Sequence, residues 1–324
     1  MLDRLFNMDR GFGMNENQAL KVFKVAIISE SAGNWPVYIG LDKKYFEDEG
    51  LDVKIIFTRS SVKHLQALEE GGIYDIGFQA VDHIVRAVEA GSDLVALLGI
   101  TKPNLSLIVA ADIQSYSDLQ GRKLGVDGVS TGFALLLKRM LLENGLIEVQ
   151  DYELVPIGGA GERYQAILEG LVDGALLNGP TDLTAEANGL RRLGSNLDYI
   201  PEYQGTVAAA KKSWADNNTE KLQCFIRAYM RASDWLHDSA NKDEAVKILI
   251  HNLKVDAEVA GVTYDRYLQS QTFNIRGEIN LKGVTEAMKV MAETGQIEKS
   301  LNDPTKYCDS RYYQKALGLL EPTK

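Results

Sequence analysis

The chain has 324 residues, of which 45% are hydrophobic and 25% charged. These fractions are close to the globular average and exclude a disordered or fibrous protein. Its 35 basic residues against 45 acidic ones give a formal charge of −10, which repels phosphate backbones and anionic lipid, so nucleic-acid binding is not expected. Cys224 and Cys308 are too few for a disulfide scaffold or a cysteine metal site. The length predicts about two domains.

The first 21 residues mix charged and apolar side chains and contain no apolar stretch typical of a secretory signal. We predict that residues 1–21 form a poorly ordered arm. No stretch of the sequence reaches the roughly 18 apolar residues that a membrane span needs, so stable membrane insertion is not expected. This segment does not distinguish a cytoplasmic protein from one whose signal segment has been removed.

Apolar runs then alternate with helical patterns. Strands are predicted at residues 22–28, 51–57 and 75–78, and helices at residues 36–49 and 62–70. Short strands that alternate with helices indicate a mostly parallel α/β sheet.

One pattern occurs twice in the chain. Residues 49–77 and 143–175 both contain, in order, a Gly-Leu pair, a strand, a helix, Gly-x-x-Asp and another strand. Two such runs in matching order predict two lobes of similar build. After residue 199 the pattern becomes helical, at residues 222–236, 244–253, 258–268 and 284–294, and we expect this helical segment to pack on the first lobe.

The predicted fold class is therefore α/β, with two similar α/β lobes joined by a hinge that the chain crosses twice. Lobe one would comprise residues 22–101 and 205–324, and lobe two residues 102–204. A cleft between two hinged lobes is a favoured place for a ligand.

Candidate ligand-binding residues follow the predicted strands, because ligands of α/β sheets lie beyond the carboxyl ends of the strands, often at helix N-termini. Asn34 either donates to a ligand or caps a helix, and Trp35 either stacks on the ligand or packs in the core. Two serines, Ser60 and Ser61, open the helix after the second strand, and helix capping explains one of them equally well. The candidates of lobe one are Asn34, Trp35, Ser60, Ser61, Gln79 and His83.

In lobe two, the sequence DGVSTG follows a predicted strand at residues 123–126 and opens a long helix. Its Ser130, Thr131 and Gly132 permit a close approach to a ligand, but the lysine and spacing of a phosphate-binding P-loop are missing, which disfavours nucleotide binding. Asn178 follows the strand at residues 174–177 and either meets the cleft or forms a simple turn.

Motifs of catalysis and metal binding are missing from the sequence. There is no H-E-x-x-H, C-x-x-C or G-x-S-x-G. The four histidines are scattered, and no carboxylate pair stands out for acid–base chemistry. We therefore expect no catalytic residue, no metal and no cofactor.

Four segments in order carry a resemblance to a known family: GNWPVYIGLDKKYFEDEGLDVKI, ALEEGGIYDIGF, LQGRKLGVDGVSTGFA and AILEGLVDGALLNGP. Over residues 23–194 the chain resembles substrate-binding proteins of ABC transporters. The resemblance is to the type II periplasmic-binding fold, in the branch of aliphatic-sulfonate, taurine and thiamine-pyrimidine-precursor binders. It implies a two-lobed clamp that closes on one small solute (a sulfonate, an aromatic carboxylate or a pyrimidine) and delivers it to a permease.

The same family includes enzymes of thiamine-pyrimidine synthesis, which offer an alternative function. The segment GFQAVDH resembles those enzymes at His83, but Gln79 stands where they carry a cofactor-binding lysine. Without that amine, no Schiff base with pyridoxal phosphate can form, so the resemblance favours a binding protein that is not an enzyme.

The resemblance further implies a monomer that lies outside the cytoplasm, with its signal segment missing from this chain. A stand-alone cytoplasmic sensor of small molecules is the other alternative.

Overall fold

The computed structural model of the protein describes residues 19–299, 301 and 303–320. Residues 1–18 of the predicted arm lie outside the described residues. Lys21, the last residue of the predicted arm, is the first residue of a strand.

Two five-stranded sheets form the framework of the described residues. The strands are β1 (Lys21–Ile27), β2 (Leu51–Phe57), β3 (Ile76–Ala80), β4 (Leu94–Thr101), β5 (Leu105–Val109), β6 (Arg122–Val126), β7 (Tyr152–Pro156), β8 (Gly174–Asn178), β9 (Arg191–Ser195) and β10 (Thr206–Lys211).

The two sheets have the same topology. The first has the strand order β2-β1-β3-β10-β4 and the second β7-β6-β8-β5-β9. In each, the first three strands are parallel, and the fourth strand runs antiparallel to both of its neighbours. The predicted fold class, two similar α/β lobes, is confirmed.

The chain passes between the sheets twice, from β4 to β5 and from β9 to β10. After each crossing it enters the new sheet as the antiparallel fourth strand. The boundaries predicted for the two lobes, at residues 101/102 and 204/205, stay predictions.

Helices cover both sheets. They are α1 (Trp35–Asp42), α2 (Tyr45–Asp48), α3 (Ser61–Glu70), α4 (Val81–Glu89), α5 (Gly132–Glu143), α6 (Ala160–Leu168), α7 (Thr181–Ala187), α8 (Lys212–Asn217), α9 (Thr219–His237), α10 (Lys242–Leu253), α11 (Ala257–Gln269), α12 (Leu281–Glu293) and α13 (Arg311–Leu320). No helix in the described part of the chain combines the length and the apolar character that a membrane crossing requires.

The C-terminal helices pack on the first sheet through aromatic side chains. The ring of Phe225 on α9 stacks between Phe23 of β1 and Phe46 of α2, with centroids 4.7 and 5.1 Å away. All three rings are fully buried, and aromatic pairs of this geometry add to the stabilisation from burial.

The helical segment also reaches the second lobe, which the sequence analysis did not predict. Arg266 of α11 forms an ion pair of 2.7 Å with the buried Asp182 of α7. In addition, Arg139 of α5 pairs with Glu293 of α12 at 3.1 Å. The C-terminal helices therefore contact both lobes.

Candidate ligand-binding cleft

A cavity of about 290 Å³ lies between the two sheets, at the carboxyl ends of their parallel strands. Its walls are the loops after β1, β2, β6, β7 and β8, together with the crossing from β4 to β5. A larger cavity of about 720 Å³ adjoins it and shares Ser29, Ser31, Arg59, Ala160 and Asn178 with it. We call the smaller cavity the inner cavity and the larger one the outer cavity.

Four of the predicted residues line the inner cavity: Asn34, Ser60, Ser61 and Asn178. Asn34 follows β1, and Ser60 and Ser61 follow β2, so these three come from the first sheet. Asn178 is the last residue of β8, in the second sheet. Neutral polar side chains therefore line the cavity from both sides of the cleft.

Asn34 does not cap α1. Its Nδ2 donates to the backbone oxygen of Ser29 at 3.0 Å, and Ser31 Oγ and Tyr38 Oη are 3.4 Å away. Because no described group donates to Asn34 Oδ1, this oxygen is free to accept a hydrogen bond from a ligand.

The two serines after β2 have different roles. Ser60 Oγ accepts from the backbone N–H of Lys63 at 3.3 Å and caps α3. The hydroxyl of Ser61 has no hydrogen-bond partner among the described residues, so it is the serine free to contact a ligand.

Gln79 is a positioning residue. Its Nε2 donates to the backbone oxygen of Ser61 at 2.9 Å, and its Oε1 accepts from the N–H of Ala80 at 3.1 Å. The side chain is buried and does not line either cavity. Gln79 thus holds the start of α3 in place rather than contacting the cleft as predicted.

The structure decides between the two roles predicted for Trp35. Its ring is fully buried, its Nε1 donates to the backbone oxygen of Ala245 at 3.0 Å, and it meets Tyr264 edge-on at 5.7 Å. The alternative that Trp35 packs in the core is the one observed. Phe133 and Tyr267 supply aromatic surface to the inner cavity instead.

His83, also predicted to contact the ligand, is buried away from both cavities. The side chain is 7% exposed, its Nε2 lies 3.9 Å from the carboxylate of Asp82, and it lines neither cavity. It follows β3 as predicted, but α4 holds it against protein rather than at the cleft.

The N-terminus of α5, predicted to face the ligand, is occupied by protein. The carboxylate of Asp82, on α4 of the first lobe, accepts from the backbone N–H of Gly132 at 3.0 Å and from Arg86 Nη2 at 2.7 Å. Asp82 is fully buried, and a Cβ at Gly132 would lie 2.4 Å from its Oδ1. Gly132 is therefore needed for this contact between the lobes.

The neighbouring candidates serve the same helix end. Thr131 Oγ1 accepts from the N–H of Ala134 at 3.3 Å and donates to Asp127 Oδ1 at 2.7 Å, so it is a helix cap. Ser130 is exposed, and its backbone oxygen accepts from Arg86 at 3.3 Å. Ser130, Thr131 and Gly132 line neither cavity.

We expect Thr131→Ala to lower the free energy of unfolding by about 1 kcal/mol, the usual cost of a lost N-cap. Ser130→Ala is the matched control and should change it by less than about 0.5 kcal/mol, because that side chain is exposed. Urea unfolding of both variants gives the two values. Equal stability of the two variants would contradict the capping role.

Charged residues that the sequence analysis left unassigned also line the cleft. Arg163 and Lys102 line the inner cavity, and burial lowers the pKa of Arg163. Arg59 lines both cavities and pairs with Glu30 through two hydrogen bonds, which lower the pKa of Glu30 and raise that of Arg59.

The backbone of Arg59 is in the left-handed region, with φ +60°. This conformation is uncommon for residues other than glycine and often marks functional sites. Here it turns the chain at the cleft wall between β2 and α3. The sequence gives no signal for this left-handed backbone, because neither Gly nor Asn stands at this position.

The fold and the sequence relate the chain to known binding proteins. A formylaminopyrimidine-binding protein of Halalkalibacterium halodurans is 24% identical over 227 residues, which are 67% of this chain and 66% of the relative, just under two thirds of its length. The periplasmic aliphatic sulphonate binding protein SsuA from Escherichia coli has a TM-score of 0.69 at 19% identity, covering 89% of this chain and 92% of that one.

An enzyme has a similar fold. The desulfurization enzyme DSZB has a TM-score of 0.65 at 15% identity, covering 92% of this chain and 99% of that one. Likeness at this level shows the fold alone.

The family model described as NMT1/THI5 like matches residues 32–243. This range includes every strand of the two sheets except β1, and the four predicted residues that line the inner cavity. Since it is more than half of the chain, the protein belongs to the NMT1/THI5-like family and has the fold of periplasmic binding proteins.

Proposed function

We propose that the protein is the substrate-binding component of an ABC importer, which holds one small organic solute between its lobes and delivers it to a permease. The observation that carries this proposal is the inner cavity, which polar side chains of both lobes line. A volume of about 290 Å³ suits a small organic molecule.

Contacts on both lobes explain how binding would be reported to a permease. Ser61 and Asn34 contact the solute from the first lobe, and Asn178 contacts it from the second. A solute held by both sides binds the closed arrangement of the lobes more tightly than an open one and increases its population. The permease then distinguishes loaded from empty protein by the arrangement of the lobes.

The solute classes that we propose are a sulfonate, an aromatic carboxylate and a pyrimidine. The relative named for formylaminopyrimidine and the sulphonate-binding neighbour support two of them. Phe133 and Tyr267 offer aromatic surface to a ring. We further propose that the protein works outside the cytoplasm as a monomer, as the resemblance to periplasmic binding proteins implies.

We also propose that the protein is not an enzyme. Gln79 stands where the related pyrimidine-synthesis enzymes carry their cofactor-binding lysine, and both ends of its amide are hydrogen-bonded to backbone. An amide in that position supplies no nucleophile for a Schiff base. Because the desulfurization enzyme DSZB has a similar fold, enzymatic activity should be tested directly.

A thermal-shift screen with sulfonates, aromatic carboxylates, pyrimidines and pyridoxal phosphate tests the function. A solute at 100 times its dissociation constant should stabilise the protein by about 2.7 kcal/mol, a rise of a few degrees in Tm. A rise with a small solute supports the binding protein. A rise with pyridoxal phosphate, together with imine absorbance, would instead support the enzyme.

Variants then place the solute in the cleft. We expect Ser61→Ala and Asn178→Ala each to weaken binding of the solute found in the screen by about 5- to 10-fold, since each removes one hydrogen-bonding group. Asn188→Ala is the matched control, because Asn188 is exposed at the end of α7 and lines neither cavity. Unchanged affinity in both cleft variants would place the solute elsewhere.

A further inference from the structure

The inner cavity contains two cations without a carboxylate partner. Lys102 and Arg163 line it, and neither has an ion pair within 4 Å among the described residues. Arg59, the third cation there, is paired with Glu30. One carboxylate, that of Asp127, also lines the cavity, and its Oδ1 accepts from Thr131.

The side chain of Arg163 is 5% exposed and donates three hydrogen bonds, all to backbone oxygens. Nε and Nη2 donate to Leu176 at 3.2 and 3.0 Å, and Nη1 donates to Gly158 at 2.5 Å. A guanidinium has five N–H donors, so two remain without an acceptor among the described residues. The carboxylates of Asp127 and Glu162 oppose the effect of burial on the pKa of Arg163, but neither forms an ion pair or a hydrogen bond with it. A buried charge without a hydrogen-bonded counterion is costly.

The start of α6 lies beside this guanidinium. Gly159 precedes the helix in an extended conformation, and no side chain caps it. The carboxylate of Glu162, in the first turn, lies close to Gly159, with its Oε2 2.6 Å from where a Cβ of residue 159 would be. Gly159 and Ala160 both line the inner cavity, and their N–H groups have no acceptor among the described residues. Free N–H groups at a helix N-terminus favour an anion.

Lys102 belongs to the crossing between β4 and β5, and its backbone N–H donates to Thr272 at 2.7 Å. Its ammonium has no hydrogen-bond partner in the described part of the chain. A ligand contact at Lys102 would therefore act on the segment that joins the two lobes.

We propose that Arg163, Lys102 and the first N–H groups of α6 form an anion subsite at the inner cavity, which binds the carboxylate or sulfonate of a small organic acid. The proposal rests on the proposed function, which it deepens by assigning a charge to the solute. A carboxylate and a sulfonate share this chemistry, because both accept several charge-assisted hydrogen bonds.

Calorimetric titration with charged and neutral probe pairs tests the subsite. The probes are ethanesulfonate against ethyl methyl sulfone, and propionate against propionamide. We expect each anion to bind at least about 10-fold more tightly than its neutral partner, as for hydrogen bonds to a charged group. The pair with the larger ratio identifies sulfonate or carboxylate as the preferred group.

Lys102→Gln is the decisive variant, because the ammonium supports no other part of the structure. It should weaken binding of the preferred anion about 10-fold and leave the Tm of the free protein unchanged. Arg163→Lys keeps the charge but loses the fork of donors, and should weaken it further. Lys247→Gln, an exposed residue of α10, should have no effect on either measurement.

Equal binding of charged and neutral probes, or an anion affinity that Lys102→Gln leaves unchanged, would overturn the subsite. If a neutral pyrimidine bound in the cleft while both anions failed to bind, the anion subsite would be wrong and the proposed function would stand. Failure of every probe and of every solute in the thermal-shift screen would remove both.

Discussion

Replacing Asp82 by alanine is expected to lower the free energy of unfolding by about 3 kcal/mol, the cost of breaking a buried ion pair from one side. Asp82 is fully buried and joins two partners, the guanidinium of Arg86 and the N–H of Gly132. The variant leaves the Gly132 N–H at the start of α5 without its acceptor and Arg86 without its partner carboxylate. Since Arg86 is partly exposed, the low end of the known range applies.

The same substitution should also change how the two lobes are held together, because Asp82 lies on α4 of the first lobe and Gly132 on α5 of the second. We expect the radius of gyration of the free protein, measured by small-angle X-ray scattering, to increase. A melting curve gives the stability in the same sample.

Glu293→Ala is the matched control for this prediction. Glu293 also joins the lobes, through Arg139, but both side chains of that pair are about a third to a half exposed, so its loss should cost less than about 1 kcal/mol. If the two variants destabilised the protein equally, the burial of Asp82 would not be what makes its contact important.

The second large effect is a loss of stability in acid that depends on His64. Burial lowers the pKa of His64 from 6.5 to about 4, and the charge of His83 acts in the same direction. The ring is fully buried, its Nε2 has no hydrogen-bond partner, and its Nδ1 lies 3.2 Å from Thr58 Oγ1. The folded protein therefore keeps this histidine neutral.

The sign follows from proton binding. Between pH 6.5 and 4 the unfolded chain binds a proton at this position that the folded protein does not, so stability falls as the pH falls. The contribution is complete above pH 6.5, and about 3 kcal/mol of it is lost by pH 4. Urea unfolding at pH 7, 5.5 and 4 measures the fall.

His64→Gln should remove this part of the pH dependence, although it lowers stability at every pH by disturbing a packed site. His251→Gln changes an exposed histidine of α10 and should leave the pH dependence as in the parent protein. A parent and a His64 variant whose stabilities fall in parallel would contradict the buried neutral state.

The sequence predicted the framework of the fold well, because its signals were local and repeated. The strand at residues 51–57 is β2 as predicted, and the four helical patterns of the tail correspond to α9 to α12. The repeated Gly-Leu and Gly-x-x-Asp runs indicated two similar lobes, and the sheets have the same strand order.

The candidate site was predicted only in part. Position after a strand brought Asn34, Ser61 and Asn178 to the inner cavity, as the rule for α/β sheets implies. The rule does not say which helix N-terminus another part of the protein already occupies. The N–H of Gly132 at the start of α5, where a ligand was predicted, donates to the carboxylate of Asp82, a residue 50 positions away.

The direction in which a side chain points was the second property of the site that the sequence did not predict. Trp35 stands next to Asn34 in sequence, yet its indole packs against Tyr264 and binds Ala245 in the C-terminal helices. Nothing in the local sequence near Trp35 indicates a partner more than 200 residues away. The arginines of the cleft were left unassigned for the same reason, because the position of Arg163 in the sequence does not show where its guanidinium points.

The place of β10 in the first sheet has a consequence for the order in which the protein is completed during synthesis. All five strands of the second sheet lie within residues 105–195, so the ribosome supplies them as one continuous stretch. The first sheet needs β10, at residues 206–211, between β3 and β4. The lobe that begins the chain therefore stays incomplete until the lobe in the middle of the chain has been made in full.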